Sequence, residues 1–429
     1  MIKDFIGLLI LLWVCTFQKS NAQAVPFLKQ QIAVLAGPGM DGRGYIKNGH
    51  GKAADYIVSQ FKNFGLRPFE THNYQQPFFI SANTFPSQIQ LEVNGNALRP
   101  GVDFLVGAAS SSFEKEKFKF KKISFKKVRD TSDCKRVLRK LKPQKFAYIV
   151  RNTDSFFKNS GWSKRDLIPR LPKGLFVLPQ KTKLIWTVKT DTVSATTVYL
   201  KENLIQKKWK KGSARILNKF ELHIKVNNVI GYVKGTKYPD SFIVFSAHYD
   251  HLGKMGTNAE FPGASDNASG TAALLYLAKY YSEHPQPYSV AFMAFAAEEA
   301  GLLGSEHYVQ YPFFPLENIK WLTNLDIMGD ATDGISVVNG KEFTAYMDLL
   351  THINATKGYL PKLVPGGPAA NSDHYFFYKN KVPCIFIFTR GGPGFYHDVY
   401  DKPRSLKLTN LNETMNLIID FTSAIQQNE

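Results

Sequence analysis

Seven side chains in the C-terminal half of the chain have the chemistry to hold and work a metal: His248, Asp250, Asp266, Glu298, Glu299, Asp326 and His397. Taken singly, each has an ordinary alternative. His248-Tyr249-Asp250 reads equally as a solvated loop, and His397 in Tyr396-His397-Asp398 as a loop histidine. Asp266 lies in Gly263-Ala264-Ser265-Asp266-Asn267-Ala268-Ser269-Gly270, where a helix N-cap is common. Glu298 and Glu299 are harder to dismiss, because they follow the apolar run Val290 to Ala297 and buried unpaired carboxylates are costly. Together the residues offer imidazole and carboxylate without thiolate. That donor set suits zinc, with cobalt or manganese as substitutes. Five ligands and a spare carboxylate exceed the needs of one tetrahedral site. Two ions about 3.5–4 Å apart, bridged by one carboxylate, would use them all, polarising a water whose proton the spare carboxylate takes. Asp250 then reads as the group that fixes the tautomer of His248.

Something must bring these residues together. Ser241 to Ala247 is a strand-like run ending at His248. Ser289 to Ala297 ends at Glu298-Glu299, and Trp321 to Leu325 ends at Asp326. Val382 to Phe388 leads into a glycine-rich loop that reaches His397. A helix over about Thr271 to Tyr281 sits between the first two strands, and Leu411 to Ile425 reads as a closing amphipathic helix. Strands alternating with helices predict an α/β fold. In open α/β sheets ligands bind beyond the carboxyl ends of the strands, where these residues lie. Upstream, the loop Gly37 to Gly44 precedes a helical pattern of Ala54, Ile57, Val58, Phe61 and Phe64 that ends at Gly65.

The order and spacing of these motifs carry a family resemblance. From about 226 to 425 the chain resembles the co-catalytic di-zinc aminopeptidases, whose clan includes glutamate carboxypeptidase and glutaminyl cyclase. The matching segments are Ser246 to Gly253, Gly263 to Gly270, Phe295 to Ser305, Asn324 to Gly329, Ser372-Asp373-His374 and Tyr396 to Asp401. Asp41-Gly42-Arg43-Gly44 and Ala53 to Ile57 resemble the family's N-terminal lead-in. The resemblance implies a mixed, mostly parallel sheet flanked by helices, and two zinc ions per chain. It gives His248 and Asp326 to one ion, Glu299 and His397 to the other, and Asp266 to both. Glu298 is the implied general base, Asp250 holds His248, and Tyr396 resembles an oxyanion-stabilising tyrosine of some relatives. The implied activity is a secreted, bacterial-type aminopeptidase that removes N-terminal residues from peptides. A one-zinc glutaminyl cyclase, a carboxypeptidase and a catalytically dead receptor-like member are the alternatives. Asp266 to Gly270 and Glu299 to Leu302 look like the peptidase versions, and a dead member would have lost ligands. Asp330 departs from the pattern, standing where many relatives carry arginine.

The 429 residues carry a formal charge of +19, and the excess is local: residues 111–220 hold 30 lysines and arginines against 8 acidic residues. Residues 1–22 read as a cleaved leader, with Lys3 before the apolar Phe5 to Val14 and small residues at Ser20-Asn21-Ala22, which predicts a secreted or periplasmic protein. The division expected is 23–84 as the first part of the peptidase domain, 85–225 as a basic, β-rich insert, and 226–429 as the catalytic part. The insert stands where many relatives carry a protease-associated domain. No remaining stretch approaches about 20 apolar residues, so no membrane span is expected. The basic insert suits weak contact with anionic surfaces, and nucleic acid is not an expected partner. Every candidate ligand lies outside the insert, so it is expected to be dispensable for the chemistry. The pairing of Cys134 with Cys384 and the oligomeric state stay open.

Overall fold

Strands covered on both faces need continuous apolar runs, and the computed structural model, which describes residues 24–69, 73–206 and 209–427, puts those runs at the centre of one sheet. Its strands are β1 (Gln75–Thr84), β2 (Lys219–Val233), β3 (Tyr238–His248), β4 (Tyr288–Phe295), β5 (Ile319–Leu325), β6 (Ile335–Val338), β7 (Leu363–Pro365) and β8 (Cys384–Thr389). They lie in the order β1-β2-β4-β3-β5-β8-β6-β7. The centre is parallel: β3 pairs with β4 and β5, and β5 with β8. The flanks are partly antiparallel, with β1 on β2, β2 on β4, and β6 on β8. The sheet is mixed and mostly parallel at its core, as the resemblance implies.

Alternate side chains of β3 point into different layers. Ile243, Phe245 and Ala247 meet the helices α1 (Ala24–Leu35), α2 (Gly49–Asn63), α3 (Gly270–Glu283), α4 (Thr344–Lys357) and α5 (Leu411–Gln427). Phe242 and Val244 pack with Tyr308, Phe314 and Phe377 on the opposite face. Burying each such side chain contributes about 1.5–3 kcal/mol. Every residue of β4 is buried, which explains its unbroken hydrophobicity. Phe377 belongs to this core and stacks on Tyr308 at 5.8 Å.

Between β1 and β2 the chain builds a second eight-stranded sheet. Four of its strands, Phe113–Ser124, Phe146–Arg151, Leu175–Gln180 and Thr196–Lys201, are parallel neighbours. Helices Thr131–Arg139 and Thr153–Ser160 make two of the crossovers. The segment therefore contains α/β units, where sequence alone suggested mainly strands. Lysines and arginines dilute the apolar face of the first helix to little more than Cys134, yet Asp130 caps it by accepting the amide of Asp133 at 2.8 Å. The second sheet shares a core with the hairpin Gly253–Met255/Ala259–Phe261, where Trp186 stacks on Phe261 at 4.9 Å. Cys134 and Cys384 are buried and free. The leader expected at 1–22 lies outside the described residues, and among those described no helix is long and apolar enough to cross a membrane.

Candidate metal centre

The carboxyl ends of β3, β4 and β5 deliver His248, Glu298-Glu299 and Asp326 to one side of the sheet. Nε2 of His248 lies 3.3 Å from Asp326 Oδ1, 3.3 Å from Asp266 Oδ1 and 4.0 Å from Glu298 Oε2. On the other side of Asp266, its Oδ2 lies 3.1 Å from Nε2 of His397, which is also 3.1 Å from Glu299 Oε2. The two oxygens of one carboxylate thus face two histidines. His248 and Asp326 gather on one side, Glu299 and His397 on the other. Asp266 Oδ2 is buried without a hydrogen-bond donor, despite the nearby imidazole. A buried carboxylate oxygen in that position, among imidazole and carboxylate donors only, fits a shared cation.

Each donor is held by main-chain and side-chain bonds. The carbonyl of Asp250 lies 3.2 Å from Nδ1 of His248, whereas its carboxylate is 3.8 Å away. That carboxylate accepts the amides of Glu298 at 3.1 Å and Glu299 at 3.4 Å. Asp250 therefore fixes His248 through its backbone and the glutamate pair through its side chain. Ser372 Oγ donates to Asp326 Oδ2 at 2.8 Å, and is itself held by Asn324, which bonds Ser246. Asp401 accepts the amides of Ser265 and Asp266, fixing the turn that carries the shared carboxylate. Asn267 is buried and ties that turn to Leu325 and Ile327. Gly263 has φ 60°, and a Cβ there would come within 2.4 Å of the His251 ring, so the position takes glycine.

Arg43, fully buried, clamps the same loops. It donates to the carbonyls of Tyr249, Leu35, Pro262 and Gly263 at 2.7–2.8 Å. His251 donates through Nδ1 to Glu299 Oε1 at 2.7 Å, flanking the carboxylate that also meets His397. Neither residue was singled out in the sequence. The only signals were their places inside recognised motifs and, for His251, a position three residues after His248.

The basic segment also enters the site. The carbonyl of Trp186 lies 2.7 Å from Nδ1 of His397, and Lys183 Nζ donates to the carbonyls of Gly394 and Tyr396 at 2.7 Å. Every candidate ligand still lies outside residues 111–220, but this segment contacts one of them. A main-chain acceptor leaves no mark in a residue pattern.

Electrostatics follow from packing carboxylates against so few cations. Burial would pull both histidines down, but neighbouring carboxylates overcome it. Asp326 and Glu298 hold His248 well above its ordinary range, and Glu299 with Asp266 carries His397 up to about 11. Against the cost of burial, His397 and His251 hold Glu299 down to about 2, and the neighbouring histidines hold Asp266 well below the carboxylate range. Glu298 goes the other way. Burial, reinforced by Glu299, Asp326 and Asp373, raises it well above the ordinary value despite His248. Burial likewise takes Asp373 up to about 7, with Asp250 and Asp326 adding to it.

Tyr396 stacks on His397 at 3.8 Å and stays half exposed. Burial of its hydroxyl and the surrounding carboxylates raise its pKa, which keeps it a phenol. Ile327, the 391–394 loop and Tyr396 line a small cleft of about 70 Å³ beside Asp266. Asp330 is in its wall, with Oδ1 taken up by the amide and hydroxyl of Thr332.

Comparison with known proteins converges on this stretch. Residues 228–422 match the model of peptidase family M28. Over 112 residues the chain is 38% identical to aminopeptidase YwaD of Bacillus subtilis, covering 25% of this chain and 23% of that one. Over 119 residues it is 34% identical to a probable zinc metalloprotease of Pyricularia oryzae, covering 27% and 24%. The alignments thus span about a quarter of these curated relatives. BSAP, a zinc aminopeptidase from Bacillus subtilis, has the same fold, with a TM-score of 0.64 at 18% identity over 92% of this chain and 93% of that one. An aminopeptidase from Aneurinibacillus sp. strain AM-1 gives 0.62 at 18% over 92% of both. Sequence match and fold agree: residues 228–422 match peptidase family M28, and the chain shares the fold of zinc aminopeptidases.

Proposed function

We propose that the chain is an exported, zinc-dependent aminopeptidase that holds a pair of zinc ions. The observation that carries this reading is Asp266, whose two oxygens face His248 and His397 at 3.3 and 3.1 Å. His248 and Asp326 would hold one ion, Glu299 and His397 the other, and Asp266 both. Zinc supplies a water of lowered pKa and polarises the scissile carbonyl. The chain's own residues do the rest. Glu298, the carboxylate left beside the two sets, takes the proton of the attacking water and returns it to the leaving amine. Its raised proton affinity suits both transfers. Tyr396, kept protonated, donates to the developing oxyanion. Ser372 and Asp250 keep Asp326 and His248 from turning away. Cobalt or manganese would substitute for zinc, peptides are the substrates, and the leader at 1–22 directs export.

The test is a panel of aminoacyl amides with and without chelator, run on the purified protein and on Glu298→Gln. Release of the N-terminal residue should need metal. Glu298→Gln should lose about 10²–10⁴-fold in kcat while keeping its metal. Near-normal turnover at full metal content would remove Glu298 from its role. Loss of ammonia from a glutaminyl peptide, with no residue released, would make the protein a cyclase.

A further inference from the structure

His397 has φ 55°, so its backbone sits in the left-handed region that non-glycine residues adopt only when held there. What holds it comes from the second sheet's segment, more than 200 positions away. Trp186 meets His397 twice: its carbonyl lies 2.7 Å from Nδ1, and its amide donates to the His397 carbonyl at 3.4 Å. A carbonyl can only accept, so Nδ1 carries a proton, and Nε2 is the nitrogen turned toward Asp266 and Glu299. Trp186 is itself pinned. Its indole donates to Val106 O at 2.8 Å, stacks on Phe261, and is buried. Lys183 grips the residues just before His397 through the carbonyls of Gly394 and Tyr396, and its Nζ lies 3.7 Å from Asp398 just after it. Three carbonyl or carboxylate partners around one ammonium fix the loop's path at a point where glycines would otherwise leave it free.

We infer that Lys183 and Trp186 are positioning residues for His397, so that the inserted segment sets the tautomer and aim of one metal ligand and hence the occupancy of one ion. The inference rests on His397 being a ligand. A lost partner behind a metal-bound histidine typically weakens metal binding about 10–100-fold. The effect should fall on the ion held by Glu299 and His397, because neither Lys183 nor Trp186 touches His248 or Asp326.

The experiment uses the full-length, zinc-loaded protein. Zinc release is followed against chelators of graded affinity, with zinc per chain from elemental analysis and unfolding midpoints measured alongside. The variants are Lys183→Met, Lys183→Arg, Trp186→Ala, Trp186→Phe and, as reference, His397→Ala. Lys183→Met and Trp186→Ala should each release one ion at least tenfold more readily, while the second stays within about twofold of the unmodified protein. Lys183→Arg keeps the donors, and Trp186→Phe keeps the stack on Phe261; both should recover most of the difference. The inference is overturned if Lys183→Met and Trp186→Ala release zinc like the unmodified protein while His397→Ala loses an ion. It is equally overturned if the variants loosen both ions in proportion to a lowered unfolding midpoint, since that is a merely structural role. If His397→Ala keeps both ions, the underlying assignment of His397 fails instead.

Discussion

Arg43→Met would remove four donors from the interior while keeping most of the side chain's volume. The guanidinium is fully buried and reaches Tyr249 O and Gly263 O at 2.7 Å, and Leu35 O and Pro262 O at 2.8 Å. These carbonyls belong to the end of α1, the loop after β3 and the turn before Asp266. The bonds therefore join three segments that packing alone would leave to slide. A buried carbonyl deprived of its donor costs about 1–3 kcal/mol, and four at the lower end come to about 4 kcal/mol. Arg43→Lys should recover little, because an ammonium cannot span the fork of acceptors. The charge matters as well. Burial brings Arg43 down to about 10, against the pull of Asp401, Asp266, Asp250 and Glu299, so those carboxylates lose a cation when it goes. Thermal unfolding of chelated and zinc-loaded protein should show a drop of about 5–10 °C in both states. Zinc should also be released more readily. A midpoint within about 1 °C of the unmodified protein would refute the claim that this side chain holds the loops.

Two further expectations follow from the site. Asp266→Ala removes the carboxylate facing both histidines and should cost at least one zinc per chain by elemental analysis; two retained ions would mean that another group bridges. Asp373 has a folded pKa raised to about 7, so the chelated protein keeps a proton there that the unfolded chain has released. That contribution is full below the unfolded carboxylate range near 4 and is lost as pH rises through about 7. Asp373→Asn should therefore gain stability relative to the unmodified chelated protein on going from pH 5 to pH 8, by more than about 1 kcal/mol in urea titrations. An unchanged gap would place the proton elsewhere.

The central strands were legible because parallel strands buried on both faces must be apolar throughout, and each ran directly into a charged residue. β2 was not, because its first half, Lys219 to Lys225, alternates polar and apolar residues yet is largely exposed, and the strand enters the sheet's interior only at Val226. The short strands β6 and β7 carry too few residues to show a period. The donors of the site were readable as residue types at strand ends, but their supports were not. Trp186 acts through a carbonyl that any residue possesses. Arg43 reads as one more basic residue in a glycine loop until four carbonyls are seen around it. Asp250 was read as a partner of His248, and its carboxylate also meets the amides of the glutamate pair, which only the turn after β4 brings within reach.

The pairing of β1 with β2 has a consequence for how the chain finds its fold. Thr84 and Lys219 lie together although they are 135 positions apart, and the whole second sheet is the excursion between them. For a disordered excursion, bringing such distant ends together costs about 4 kcal/mol of chain entropy. A second sheet that has already formed brings residues near 85 and 219 side by side, and most of that cost is gone before β1 meets β2. Order of assembly then runs from the excursion inward: the long antiparallel pair forms as an ordinary hairpin, and the edge of the main sheet is completed last. Pulsed hydrogen exchange that found the β1–β2 amides protected before those of Phe146–Arg151 would reverse that order.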